Sequence, residues 1–124
     1  MTNTQNTFSV ILDDLARAMF ELAADPLNEL DVDATDSLEY MGKRLNYRAR
    51  AIQDAATDDE RDAACRAALA FLESDIPRHG LALRAAVGAL NVDAADIYRA
   101  RVARRYAAAR CFALNAEGVL VYLG

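Results

Sequence analysis

The chain has 124 residues, 54% of them hydrophobic and 27% charged, with a formal net charge of −5. That length holds one domain with a modest core and is too short for two ordinary ones. Its apolar runs fall far short of the ~20 residues a spanning helix needs, so membrane insertion is not expected.

A first helix is predicted over about 8–24, where Phe8, Leu12, Leu15, Met19 and Leu22 recur at three- and four-residue steps before Asp25-Pro26 stops the pattern. Residues 26–35 read as an acidic loop, because Pro26, Asn28, Asp31 and Asp33 interrupt any apolar stripe. Asp36-Ser37-Leu38-Glu39 then offers a capping residue with Glu three positions on, which starts a second helix over about 37–56. Its stripe is Leu38, Met41, Leu45, Ala49, Ile52 and Ala56, a helix-helix seam.

Thr57-Asp58-Asp59-Glu60 signals a third helix over about 58–75, ended by Ile76-Pro77-Arg78-His79-Gly80. A fourth is predicted over about 81–90 and a fifth over about 94–110, separated by the turn Asn91-Val92-Asp93. From Cys111 the period changes, and 111–123 reads as a hairpin turning at Asn115-Ala116-Glu117-Gly118. An isolated hairpin is marginal in water, so it must pack on the helices or pair with another chain. The fold expected is mostly α, a compact bundle of about five helices with a short C-terminal β-hairpin, forming a single domain over 1–124.

Little in this sequence reads as chemistry. His79 is the single histidine, and neither Cys65 nor Cys111 lies at ligand-pair spacing from it. Ser9, Ser37 and Ser74 lie in no elbow-like turn, and Cys65 falls in an Ala-rich helix where a buried, inert thiol is the usual case. The five glycines are scattered, so no phosphate loop is formed. No catalytic, cofactor or metal site is expected, and the chain reads as a non-enzyme. Two cysteines without a framework, and a Met-Thr-Asn-Thr-Gln-Asn start unlike a signal peptide, point to a reducing cytoplasm.

Binding surfaces are more legible. Residues 1–61 carry six basic and thirteen acidic side chains, net −7, and residues 62–124 carry eight and six, net +2. The extreme is Asp13 to Glu39, nine carboxylates against Arg17 alone, a polyanionic region whose Asp31 and Asp33 suit a basic partner protein. The tetrapeptide Tyr-Arg-Ala-Arg occurs twice, at 47–50 and 98–101. At ~100° per residue, Tyr40, Arg44 and Tyr47 point away from the Leu38 stripe, with Lys43 and Arg48 beside them. Tyr98 instead aligns with Val102, Tyr106 and Ala109 on an inward face. An outward Tyr/Arg stripe has the composition of protein-binding hot spots.

The stretch from Arg84 to Arg99, through Leu90-Asn91-Val92-Asp93 and Ile97, resembles a helix-turn-helix unit of bacterial DNA-binding regulators, and the hairpin after it looks like the wing of winged variants. In such units the first residues of the second helix meet base edges. Here these are Asp93, Ala94, Ala95 and Asp96, so the resemblance implies phosphate contacts by Arg99, Arg101, Arg104, Arg105 and Arg110, in a homodimer. The leading expectation is a small regulatory or inhibitory protein that binds another protein, in its boldest form by an acidic surface that imitates nucleic acid. The alternative is the helix-turn-helix regulator.

Overall fold

A computed structural model describes residues 1–25, 30–87 and 92–124, with the side chains of all of these except 80–87 and 92–96. Among the described residues there are four helices and one hairpin: α1 (Asn3–Ala24), α2 (Val32–Gln53), α3 (Asp58–Val87), α4 (Val92–Ala109), β1 (Phe112–Leu114) and β2 (Leu120–Tyr122). The mostly helical bundle with a terminal hairpin is as expected; the helix count and several boundaries are not.

α1 starts at Asn3 and not near Phe8, because Thr2 and Gln5 form a reciprocal cap. The Gln5 N–H donates to Thr2 Oγ1 at 3.1 Å and the Thr2 N–H to Gln5 Oε1 at 3.0 Å. α2 starts five residues earlier than Asp36, since Asp31 already accepts the Ala34 N–H at 2.7 Å. That earlier start adds Ala34, 3% exposed, to the buried stripe one turn ahead of Leu38. α2 ends at Gln53, short of Ala56. Arg61 takes over there, donating from Nε to the Ile52 carbonyl at 3.0 Å and from Nη2 to the Ala55 carbonyl at 2.8 Å.

The predicted third and fourth helices are one helix. Pro77 lies inside α3, where a proline forfeits one helical hydrogen bond and normally kinks or stops the helix at a cost of ~3 kcal/mol. Pro77 has no N–H to give the Glu73 carbonyl, and both residues lie on the exposed side of α3. Ile76 meanwhile stays buried in the core, holding the helix against the bundle.

α1 is the central element, packing against α2 on one side and α4 on another, while α3 closes over α2. The core gathers Phe8, Leu12, Leu15, Met19 and Leu22 of α1 with Leu38, Met41, Leu45 and Ile52 of α2 and Phe71 and Leu72 of α3. Gly42 lets α1 and α2 approach closely, because a Cβ there would come within 2.7 Å of the Phe20 ring. Tyr106 of α4 donates to the Leu72 carbonyl at 2.8 Å, and Ala109 is fully buried beside it in the same cluster.

The strands pair antiparallel, Phe112 opposite Tyr122 and Leu114 opposite Leu120. Asn115 donates to the Val119 carbonyl at 2.9 Å, and Gly118 has φ 77°, so the connection is a three-residue loop with a left-handed closing residue. The hairpin anchors through aromatic contacts, with Phe112 at 5.0 Å from Phe8 and at 5.2 Å from Tyr122, centroid to centroid.

Candidate protein-binding face

The two copies of Tyr-Arg-Ala-Arg are put to different uses. Tyr98, on α4, is half-buried and donates its hydroxyl to the Asp25 carboxylate at 2.7 Å, tying α4 to the C-terminal end of α1. That hydrogen bond, then desolvation, raises the Tyr98 pKa above its ordinary value. Arg101 stacks over the Tyr98 ring at 5.3 Å and pairs with Glu21 at 3.6 Å. This second copy is a latch between α1 and α4.

The first copy faces out. Tyr40 is 42% and Tyr47 60% exposed on the side of α2 opposite the fully buried Leu38, Leu45 and Ile52. Arg44 lies over the Tyr40 ring at 5.9 Å and Arg48 over the Tyr47 ring at 5.6 Å, so each cation is within cation–π reach of an aromatic face. Lys43 is exposed beside them. His79 of α3 completes the row, its ring 5.2 Å from that of Tyr40. The amphipathic phase of α2 dictates this placement, because apolar residues occupy the other face at the same spacing.

Between α2 and α3 the face opens into a cleft of ≈ 390 Å³ lined by Arg48, Ala67, Ala70, Phe71, Ser74 and Asp75. Among the described residues, Arg48 Nε is buried and finds no hydrogen-bond acceptor. A buried donor left without a partner forfeits ~1–3 kcal/mol, a loss that an incoming acceptor would recover.

Part of the acidic region is committed to the fold. Asp31 is the α2 cap, Asp25 accepts from Tyr98, Glu21 pairs with Arg101, and Asp13 accepts from Gln53 Nε2 at 3.4 Å. Asp33 is exposed in the first turn of α2, where a carboxylate complements the helix dipole. Of the arginines implied by the helix-turn-helix resemblance, Arg101 is in the latch and Arg110 pairs with Glu73 at 3.6 Å. Arg104 is exposed on α4, and Arg99 and Arg105 are half-buried. The turn of that resemblance, Gly88 to Asn91, lies outside the described residues.

Cys65 is 1% exposed in α3, and burial, followed by the Asp62 charge, pushes its thiol up to about 11, which suppresses nucleophilic thiolate. Among the described residues no cluster of three His, Cys, Asp or Glu side chains is placed to hold a metal, and no helix is long and apolar enough to cross a membrane.

Tyr40, Lys43, Arg44, Tyr47 and Arg48, one group by helical phase, share one face of α2. His79, Phe71, Ser74 and Asp75 border that face too, and no sequence pattern signals it, because their register against α2 depends on how α3 packs. Comparison with protein-family models, with curated proteins and with solved structures finds no match to this chain.

Proposed function

We propose that this chain is a small, non-enzymatic regulatory or inhibitory protein that binds another protein, and that the outward face of α2 is the contact. The observation that carries the proposal is Arg48, whose guanidinium lies over the Tyr47 ring and whose buried Nε finds no acceptor among the described residues, at the wall of the α2/α3 cleft. A carboxylate or backbone carbonyl from a partner segment entering the cleft would complete its hydrogen bonds. Lys43, Arg44, Arg48 and Arg50 share this half of α2, so the segment that fits is acidic, with an apolar residue to cover Tyr40 or Tyr47. Pre-stacked aromatic and guanidinium groups lose little freedom on binding, which is why Tyr and Arg dominate such sites. The acidic surface around Asp31 and Asp33 is the lesser element of the proposal, since several of its carboxylates serve the fold.

Tagged chain, incubated with extract of its native host, is expected to retain a protein that Arg48→Ala and the double variant Tyr40→Ala/Tyr47→Ala do not. Tyr122→Ala, also 61% exposed but on the hairpin, should retain it undiminished. Equal recovery by all variants removes the α2 face from consideration. Steep, salt-dependent binding to duplex DNA that vanishes in Arg104→Glu/Arg105→Glu would favour the helix-turn-helix reading instead.

A further inference from the structure

We infer that the outward face of α2 also pairs with the α2 of a second copy of this chain, antiparallel and in a single register. Asp33, Asp36, Tyr40, Lys43, Tyr47 and Arg50 are all exposed and recur at steps of three, four, three, four and three. That alternation is the spacing of a coiled-coil seam, and here it runs opposite the core-facing side of α2. The charge order along it is acidic, then aromatic, then basic interleaved with aromatic.

An antiparallel two-fold alignment about the midpoint of Met41 and Gly42 opposes Asp33 to Arg50, Asp36 to Tyr47 and Tyr40 to Lys43 of the second copy. The three kinds of contact are an ion pair, a phenol donating to a carboxylate and an ammonium over a ring. Two-fold symmetry repeats each of them, so all the layers are complementary. A parallel alignment in register would oppose Asp33, Asp36, Lys43 and Arg50 each to itself, which like-charge repulsion disfavours. Sliding the antiparallel pair one heptad toward the C-terminal ends would set Asp36 against Asp54, two carboxylates. Sliding it one heptad the other way would carry Tyr47 and Arg50 past the start of α2 at Val32, so fewer layers would remain. Charge complementarity therefore selects the second copy as occupant, in one orientation.

The seam contains few apolar groups, so the dimer is salt-sensitive and forms at high protein concentration. It goes beyond the partner interaction proposed above and does not depend on it. Because the two share Tyr40 and Tyr47, they exclude one another.

Sedimentation velocity on the full chain, from ~5 to ~500 µM at low salt and again at ~0.5 M salt, reads the association. The mass should rise from 13.5 kDa toward twice that value at low salt, with at least a roughly five-fold weaker association in high salt. Arg50→Asp should abolish it, and the charge swap Asp33→Arg/Arg50→Asp should restore it. A chain that stays monomeric throughout, or a swap that fails to restore what Arg50→Asp removes while circular dichroism shows both folded, overturns the inference. Orientation has its own readout. Asp33→Cys and Arg50→Cys chains, prepared separately in a Cys111→Ser background and mixed under oxidation, should give the mixed disulfide; Asp33→Cys pairing with itself instead would refute the antiparallel seam. Loss of self-association with partner capture intact, or the reverse, tells the two proposals apart.

Discussion

Arg61 allows a sharp separation of a surface ion pair from a buried polar anchor. Its guanidinium pairs with Asp58 at 3.4 Å, but Asp58 is 97% exposed and the Arg61 side chain only 13%. The same side chain donates to the Ile52 and Ala55 carbonyls at 3.0 and 2.8 Å, closing the end of α2. Exposed ion pairs contribute ~0–1 kcal/mol, whereas hydrogen bonds to a charged partner contribute ~1.5–3 kcal/mol each, and more is lost when a buried acceptor is orphaned. Ile52 is fully buried, so its carbonyl gains little from water after truncation. Arg61→Ala should cost about 2–4 kcal/mol and Asp58→Ala less than ~1 kcal/mol, although both delete the same ion pair. Lysine cannot fork to both carbonyls, so Arg61→Lys should recover only part of the loss. Urea unfolding followed by circular dichroism gives the comparison, with the Arg61→Ala midpoint lowered by roughly 1–2 M at unchanged slope. Equal losses for Arg61→Ala and Asp58→Ala, or an Arg61→Ala change under ~0.5 kcal/mol, would refute the assignment of stability to the carbonyl contacts.

Capping makes a second prediction: Asp31→Ala should cost about 1 kcal/mol while Asp31→Asn, which keeps the accepting oxygen and removes the charge, stays within a few tenths in the same urea assay. For the thiols, a disulfide-exchange reagent should label Cys111 in the folded chain and both cysteines only after unfolding, because Cys65 is buried. Since the folded Cys65 thiol keeps its proton to about 11 against 9.0 for an ordinary thiol, its contribution to stability is complete below pH 9 and declines as pH rises toward 11. Cys65→Ser should flatten that part of a stability–pH curve; an unchanged decline would assign it to other groups.

The outward phase of Tyr40 and Tyr47 was legible because one long apolar stripe fixes which side of α2 must be hidden, leaving the remainder exposed. Helix starts were less so. Asp31, Asp33 and Asp36 are all chemically able caps, and the choice fell to the one that brings Ala34 onto the buried stripe, a matter of packing against other helices. Pro77 reads as a stop by local rules, and only tertiary context, an exposed proline beside a buried Ile76, carries α3 through it. The Arg61 anchor is invisible in sequence because the carbonyls it serves are free only where α2 happens to end. The contact between Tyr98 and Asp25 spans most of the chain, so no local pattern announces it. In the candidate site, residues from α2 were within reach of periodicity, while those contributed by α3 required the register between two helices.

The aromatic stack of Phe8, Phe112 and Tyr122 sets an order of events during synthesis. α1 can pair with α2 as soon as both have left the ribosome, yet Phe8 lacks its Phe112 neighbour until residues 112 to 122 follow. At ~5–20 residues per second, that leaves the ring without this contact for roughly 5–20 s. Closing the stack joins segments about 100 positions apart, so the step is entropically late as well as late in translation. A nascent chain stalled before Phe112 would therefore present an apolar α1 end to whatever holds unfolded chains, and release from it would coincide with the hairpin.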